Sequence, residues 1–122
     1  DELRSARVEL PGNASAFIEP TRALVAVDVN TGGDSSAAAG LKTNIALVRD
    51  LPRQLRLRGL GGQVTIDFAP MPKRDRKVLE QTLTAAFRAD TVETSLVGWT
   101  PLGHYELQRK RERLPLTEVL PE

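Results

Sequence analysis

Two short apolar runs rich in β-branched residues lie on either side of one long amphipathic segment, and this order constrains the fold most. The runs span 24–30 and 63–68. Between them, apolar residues recur at spacings of three and four, the period of one helical face; they are Leu41, Ile45, Val48, Leu51 and Leu55. A strand, a helix and a strand in this order predict two parallel strands joined by a right-handed crossover.

Further elements are predicted on both sides of this unit. A strand from Ser15 to Glu19 forms a hairpin with 24–30 across a Pro-containing turn. A second amphipathic helix is predicted from Lys73 to Ala89, with the inward residues Val78, Leu79, Leu83, Ala86 and Phe87. Strands over 94–99 and 104–108 follow it. The order ββαβαββ predicts an α/β (α+β) domain, a mixed sheet of about five strands with two main helices.

Turn-forming residues predict where the helices begin and end. Residues 31–39 are small, polar and rich in Gly, which predicts a mobile loop with Ser35 or Ser36 as the cap of the first helix. Pro52 lies inside that helix and predicts a kink or a division into two, because proline removes one backbone hydrogen bond. Gly59 is predicted to end the helix.

The length of the chain predicts one domain, 1–122, and both ends resemble mid-chain sequence, so we expect a piece of a longer protein. Residues 1–12 are polar and end in a turn, and 114–122 predict a tail that leaves the domain. No apolar run approaches the roughly 20 residues of a membrane span. The absence of cysteine excludes disulfides and thiolate–zinc sites within this sequence and fits a reducing cytoplasm.

Basic residues are clustered, although the formal net charge is only +1. The clusters lie within 53–58, 73–77 and 109–113. Such clusters are compatible with phosphate binding, whereas solvated helix faces and tails are the simpler interpretation of any one of them. Aromatic residues make up 4% of the chain, which does not support a base-stacking platform for single strands.

Two aspartates occur at the ends of the two predicted parallel strands. Because the carboxyl ends of parallel strands meet at one edge of a sheet, Asp28 and Asp67 are expected to be neighbours. Burying a carboxylate without a partner costs several kcal/mol, so two of them indicate a cation. Mg²⁺ prefers oxygen ligands and commonly takes one or two carboxylates. The alternative is that both aspartates cap turns or accept backbone N–H groups.

Other polar residues are weaker candidates. Asn30, two residues after Asp28, lies on the same side of the strand and supplies an amide oxygen or orients a carboxylate. Lys42, Thr43 and Asn44 lie near the predicted start of the first helix, where free N–H groups hold phosphate; ordinary helix-surface polarity is the alternative. His104, the only histidine, is interpreted as structural because no general-base partner is evident.

Several segments, in a fixed order, resemble one known family. They are 22–32 (RALVAVDVNTG), 42–44 (KTN), 53–58 (RQLRLR), 60–68 (LGGQVTIDF) and 102–111 (LGHYELQRKR). Their order and spacing are similar to those of the ribonuclease E/G family. The likeness assigns 13–113 to that family's catalytic subdomain, which is deoxyribonuclease I-like.

The resemblance implies an Mg²⁺-dependent endoribonuclease that cuts single-stranded RNA in processing and decay and leaves 5′-phosphate products. By position, Asp28 and Asp67 match the family's Mg²⁺-binding aspartates, and Asn30 matches the asparagine that supports them. Lys42, Arg109 and Arg111 are the predicted contacts to the RNA backbone. The resemblance also implies an S1 domain and a 5′-end sensor elsewhere in the parent chain, a possible homo-oligomer and a cytoplasmic location.

Three residues depart from the family pattern. Pro70 stands where the family often has a second acidic residue after the strand aspartate. This replacement is expected to weaken the support that such a residue gives to the metal site. Pro52 and Gly59 replace a helix-friendly residue and an aspartate, and they affect only the helix. A non-catalytic RNA-binding or scaffolding domain that kept the fold is therefore the alternative, and an unrelated domain with two structural aspartates is a third interpretation.

Overall fold

The computed structural model describes residues 5–111, and the predicted tail over 114–122 lies outside them. Six strands and two helices alternate in the order βββαβαββ. They are β1 (Arg7–Glu9), β2 (Ser15–Pro20), β3 (Val25–Asn30), α1 (Ala37–Arg58), β4 (Gly62–Asp67), α2 (Arg76–Arg88), β5 (Thr94–Trp99) and β6 (Tyr105–Arg109). A single 3₁₀ turn over Lys73–Asp75 precedes α2.

The strands form one mixed sheet in the order β1-β2-β3-β4-β6-β5. Strands β3 and β4 are parallel, as the strand–helix–strand pattern predicts, and every other neighbouring pair is antiparallel. The prediction of about five strands missed β1. This strand has three residues and one buried side chain, Val8, so the sequence contains too little alternation to indicate it.

Burial alternates along the central strands and separates two faces of the sheet. Val27 and Ile66 are buried in the core with both helices, whereas Asp28 and Asp67, the next residues along, are exposed. The helices pack on one face only. We call the other side the open face; it bears Phe17, Glu19, Asp28, Thr65, Asp67 and Glu106.

Helix α1 begins and ends with capping residues that the sequence predicts. The Ser36 hydroxyl accepts the N–H of Ala39 at 3.2 Å, and Gly59 adopts a left-handed conformation at φ 65°. The helix is not divided at Pro52. Proline removes one backbone bond, but the apolar stripe continues on both sides of it, with Val48 and Leu55 fully buried.

Helix α2 buries a narrower stripe than predicted. Leu79, Leu83 and Phe87 are in the core, and Ala86 packs against it. Val78 is 44% exposed, so its predicted inward position is wrong. The spacing of four between the buried residues fixes the stripe, and Val78 lies about 100° away from Leu79 around the helix. No helix within residues 5–111 is long and apolar enough to cross a membrane.

Candidate metal centre

The parallel pair brings the two predicted aspartates side by side. Asp28 and Asp67 are direct register partners on β3 and β4. Neighbouring strands lie about 4.8 Å apart, and both residues belong to the open face. The crossover through α1 therefore places two carboxylates together, and the predicted proximity is confirmed.

The two aspartates are not buried, contrary to the prediction from the sequence. Both aspartates are exposed, and the Asp67 side chain is 61% exposed, so neither is a fully buried charge that requires a partner. The remaining reason to expect a cation is the mutual repulsion between the Asp28 and Asp67 carboxylates. The pKa of Asp28 is raised, first by partial desolvation and then by the neighbouring charges of Asp67 and Glu19. A cation would relieve this repulsion.

Asn30 lies at the end of β3, on the same face as Asp28 and one pleat further along. It is exposed and pairs in register with Ser15 of β2. Its amide is therefore placed at the edge of the sheet beyond the two carboxylates, where the sequence predicted it.

His104 is a neighbour of Asp67 that the sequence pattern did not predict. Its Nε2 atom lies 3.8 Å from Oδ1 of Asp67, and its side chain is 38% exposed. The antiparallel pairing of β4 with β6 runs to Ile66 and Tyr105, which brings the next residues, Asp67 and His104, together. Only the pairing of β4 with β6 reveals this contact, and the sequence did not predict that pairing.

Asp28 on β3, Asp67 on β4 and His104, the residue just before β6, thus form a row, which we call the open-face row. Within residues 5–111, no three His, Asp or Glu side chains are grouped closely enough to hold a metal ion between them. The two carboxylates are therefore the charged ligands that this part of the sheet offers, and water would complete the coordination of a bound cation. This arrangement suits Mg²⁺, which keeps several waters.

Helix α1 holds the backbone that follows Asp67. The Asn44 side chain is fully buried; its Oδ1 accepts the N–H of Ala69 and its Nδ2 donates to the Ala69 carbonyl, both at 2.9 Å. At Gly40, a Cβ atom would lie 2.1 Å from the Pro70 carbonyl oxygen. These two close contacts fix the exit of β4 against the first turns of α1.

The same contacts correct the predicted phosphate site at Lys42, Thr43 and Asn44. The helix begins at Ala37, so these residues lie beyond the free N–H groups of its first turn. Thr43 and Asn44 are buried, and Asn44 is occupied by Ala69. Lys42 is exposed and lines a cavity of about 810 Å³ beside α1.

The predicted RNA contacts at the end of β6 differ in their exposure. Arg109 is only 2% exposed, and its Nη1 donates to Oδ2 of Asp90 at 2.7 Å. Alternation along β6 turns it toward the helices with Tyr105 and Leu107, so its assignment as an RNA contact is wrong. Arg111 is exposed, and its guanidinium lies close to Gly62.

An aromatic cluster lies behind the edge of the sheet that bears Asp67 and His104. The Trp99 ring is 5.2 Å from Tyr105 and 5.8 Å from Phe68, between ring centroids, and its Nε1 donates to Glu80 at 2.6 Å. The Arg76 guanidinium lies 4.4 Å from the centre of the Trp99 ring. Trp99 is therefore a partly buried packing residue.

A sequence model of the ribonuclease E/G family matches residues 1–112 of the chain. The chain belongs to the ribonuclease E/G family. It is 41% identical to ribonuclease G of Salmonella typhimurium (strain SL1344) over 93% of its own length and 24% of that protein. It is 37% identical to ribonuclease E of Nostoc sp. (strain PCC 7120) over 97% of its length and 18% of that protein.

Ribonuclease E of Escherichia coli (strain K12) is a further relative, 37% identical over 85% of this chain and 10% of that protein. The chain thus spans a quarter or less of the length of these ribonucleases. The matched segment contains the open-face row.

Proposed function

We propose that this chain is the catalytic subdomain of an Mg²⁺-dependent endoribonuclease that hydrolyses phosphodiester bonds of single-stranded RNA in RNA processing and decay. The proposal rests on one observation: Asp28 and Asp67 are register partners on adjacent parallel strands of an uncovered sheet face. Membership of the ribonuclease E/G family supports the class of reaction.

The donor set fits Mg²⁺. Asp28 and Asp67 offer hard carboxylate oxygens, and their exposure leaves room for the waters that Mg²⁺ retains. When bound, the ion would lower the pKa of a water molecule and polarise a phosphoryl oxygen. Asn30, at the end of the same strand as Asp28, would orient that carboxylate or a bound water.

The chain's own contribution is a rigid arrangement of these ligands. Both aspartates lie on central strands of the sheet, with neighbours paired on each side. Asn44 and Gly40 fix the backbone immediately after Asp67. Ligands on rigid strands need little reorganisation when charge develops on the phosphate, which is the condition for electrostatic stabilisation.

Contacts to RNA would extend beyond the edge that bears Asp28 and Asp67, since Arg111 lies beside Gly62 at the opposite end of β4. Lys42 and Arg111 remain our candidates for the RNA backbone because both are exposed. We propose that most of the RNA affinity belongs to other regions of a longer parent, namely an S1 domain and a 5′-end sensor, within an oligomer in the cytoplasm. The 122-residue chain alone is expected to cleave weakly or not at all.

One observation favours a second candidate function. Within residues 5–111, no third His, Asp or Glu side chain is grouped with the two aspartates closely enough to hold a metal ion, and Pro70 stands where the resemblance expects a second acidic residue. A domain that kept the fold but lost turnover would bind or scaffold RNA without cleaving it.

The test uses the full-length parent protein, wild type and the variants Asp28→Asn and Asp67→Asn, with a 5′-monophosphorylated single-stranded RNA and Mg²⁺. We expect both variants to lose cleavage while they keep their fold and RNA binding. Equal cleavage by all three proteins would exclude the assigned site. Binding without cleavage by the wild type would favour the scaffolding function.

A further inference from the structure

The third member of the open-face row is not used by the proposed function. We propose that His104 is a positioning residue, which orients the Asp67 carboxylate for the cation without itself binding the ion. This inference rests on the proposed function, because it assigns a role toward the same cation site.

The distance between the His104 and Asp67 side chains indicates a contact to a metal ligand and not to the metal ion itself. His104 Nε2 and Asp67 Oδ1 are 3.8 Å apart, which is longer than a direct N–H···O bond of about 2.7–3.2 Å. One bridging water or a small side-chain shift would connect them. Because His104 is not grouped with both aspartates around one point, the imidazole is placed to hold Asp67 and not to complete a three-residue ligand set.

Asp67 has no other side chain to hold it. Within residues 5–111, no other hydrogen bond or ion pair to the Asp67 carboxylate is found. The residues that follow it in the chain, Phe68, Ala69 and Pro70, have no polar side chain. His104 is therefore the one side chain within residues 5–111 that lies within ion-pair distance of the Asp67 carboxylate.

The backbone of His104 is itself fixed. Its N–H donates to the Thr100 hydroxyl at 3.0 Å, and its carbonyl accepts the N–H of Thr100 at 2.7 Å. These two bonds close the turn between β5 and β6, and the next residue, Tyr105, is buried. The imidazole is thus attached to a rigid point beside the end of β4.

Outer groups that hydrogen-bond to metal ligands typically contribute about 10–100-fold to metal affinity. The experiment measures metal binding by the protein without RNA, using Mn²⁺ followed by the EPR signal of the free ion and Mg²⁺ by competition, at one pH. We expect His104→Leu to weaken the binding of both ions about tenfold or more. His104→Gln, which keeps an N–H donor, should retain most of the affinity.

The matched control is Gln108→Leu. Gln108 is exposed on β6, on the face that His104 shares just before the strand begins, and it pairs with Gln63 and not with Asp67. We expect this variant to bind metal as the wild type does. Thermal unfolding of each variant shows whether the fold is kept, and the Gln variant tests the inference if the Leu variant does not fold.

A double-variant comparison tests whether His104 acts through Asp67. In an Asp67→Asn protein, adding His104→Leu should cause no further loss of affinity. A further tenfold loss, unchanged affinity in His104→Leu, or tighter binding in His104→Leu would each overturn the inference. Wild-type affinity in Asp67→Asn would instead overturn the cation site of the proposed function, and failure of the wild type to bind either ion would overturn both.

Discussion

The carboxylate of Asp90 and the carboxylates of Asp28 and Asp67 lie in opposite environments. Asp90, after α2, has a side chain with no exposed surface and is paired with Arg56 of α1 and Arg109 of β6. Asp28 and Asp67 are exposed and face each other without a guanidinium partner within residues 5–111. The first arrangement joins three elements, whereas the second leaves two adjacent negative charges without an arginine partner.

The two groups also respond to pH in opposite directions. Burial alone would raise the pKa of Asp90, but hydrogen bonds and charge from Arg109 and Arg56 lower it overall. This carboxylate therefore stabilises the fold above its unfolded pKa, and the contribution is lost as pH falls through its folded value. The pKa of Asp28 is raised, so its charge opposes folding at neutral pH, and this cost disappears in acid.

Among the variants that test this comparison, Asp90→Asn is expected to lower the free energy of unfolding most. It would leave the Arg109 guanidinium buried and without its counter-ion, and breaking a buried pair typically costs about 3–5 kcal/mol. Urea denaturation at neutral pH measures the loss. A loss below about 1 kcal/mol would show that the buried pair does not fix these elements; Asp67→Asn, an exposed carboxylate, is the control and should not destabilise.

Asn44→Leu is expected to have an intermediate effect. It keeps the branched shape and the number of side-chain heavy atoms but leaves the buried N–H and carbonyl of Ala69 without their partners, which costs about 1–3 kcal/mol. Faster hydrogen exchange at Ala69, measured by NMR, should accompany the lower stability. Unchanged exchange there would contradict the view that α1 holds the exit of β4, and Thr82→Val, on the exposed side of α2, is the control.

Asp28→Asn has the smallest expected effect and the opposite sign. At neutral pH it removes the repulsion with Asp67 and Glu19, so the free energy of unfolding should rise by a few tenths of a kcal/mol, the range of surface charge effects. The wild-type pKa is raised in the folded state, so lowering the pH protonates Asp28 and removes the difference between the two proteins. Urea midpoints at pH 7 and pH 3 measure this, and a gain that persists at pH 3 would contradict the electrostatic explanation.

The central part of the fold was predictable because it depends on local pattern. Strand β3, helix α1 and strand β4 follow from periodicity and capping residues, and their order fixes the parallel pair that brings Asp28 to Asp67. The position of the aspartates was predicted correctly although the burial argument for them was wrong. Alternation places them on the open face, and the sequence alone did not reveal that the helices cover only the other face.

The predictions fail at residues whose neighbours are determined by strand pairing between distant parts of the chain. Arg109 is in a basic cluster of the sequence, but its place on β6 turns it into the core beside Asp90. His104 was judged to be structural because its neighbour Asp67 lies far away in the chain and the pairing of β4 with β6 was not predicted. Local patterns predicted the elements but not which side chains meet between them.

The parallel pairing of β3 with β4 has a consequence for folding. Two parallel strands meet only after the intervening helix has crossed over, so Asp28 and Asp67 are far apart on average in the unfolded chain. An ion that needs both carboxylates would bind the native state alone and stabilise it by RT ln(1 + [ion]/Kd). Ionic composition would then set the population of folded molecules as well as the occupancy of the site.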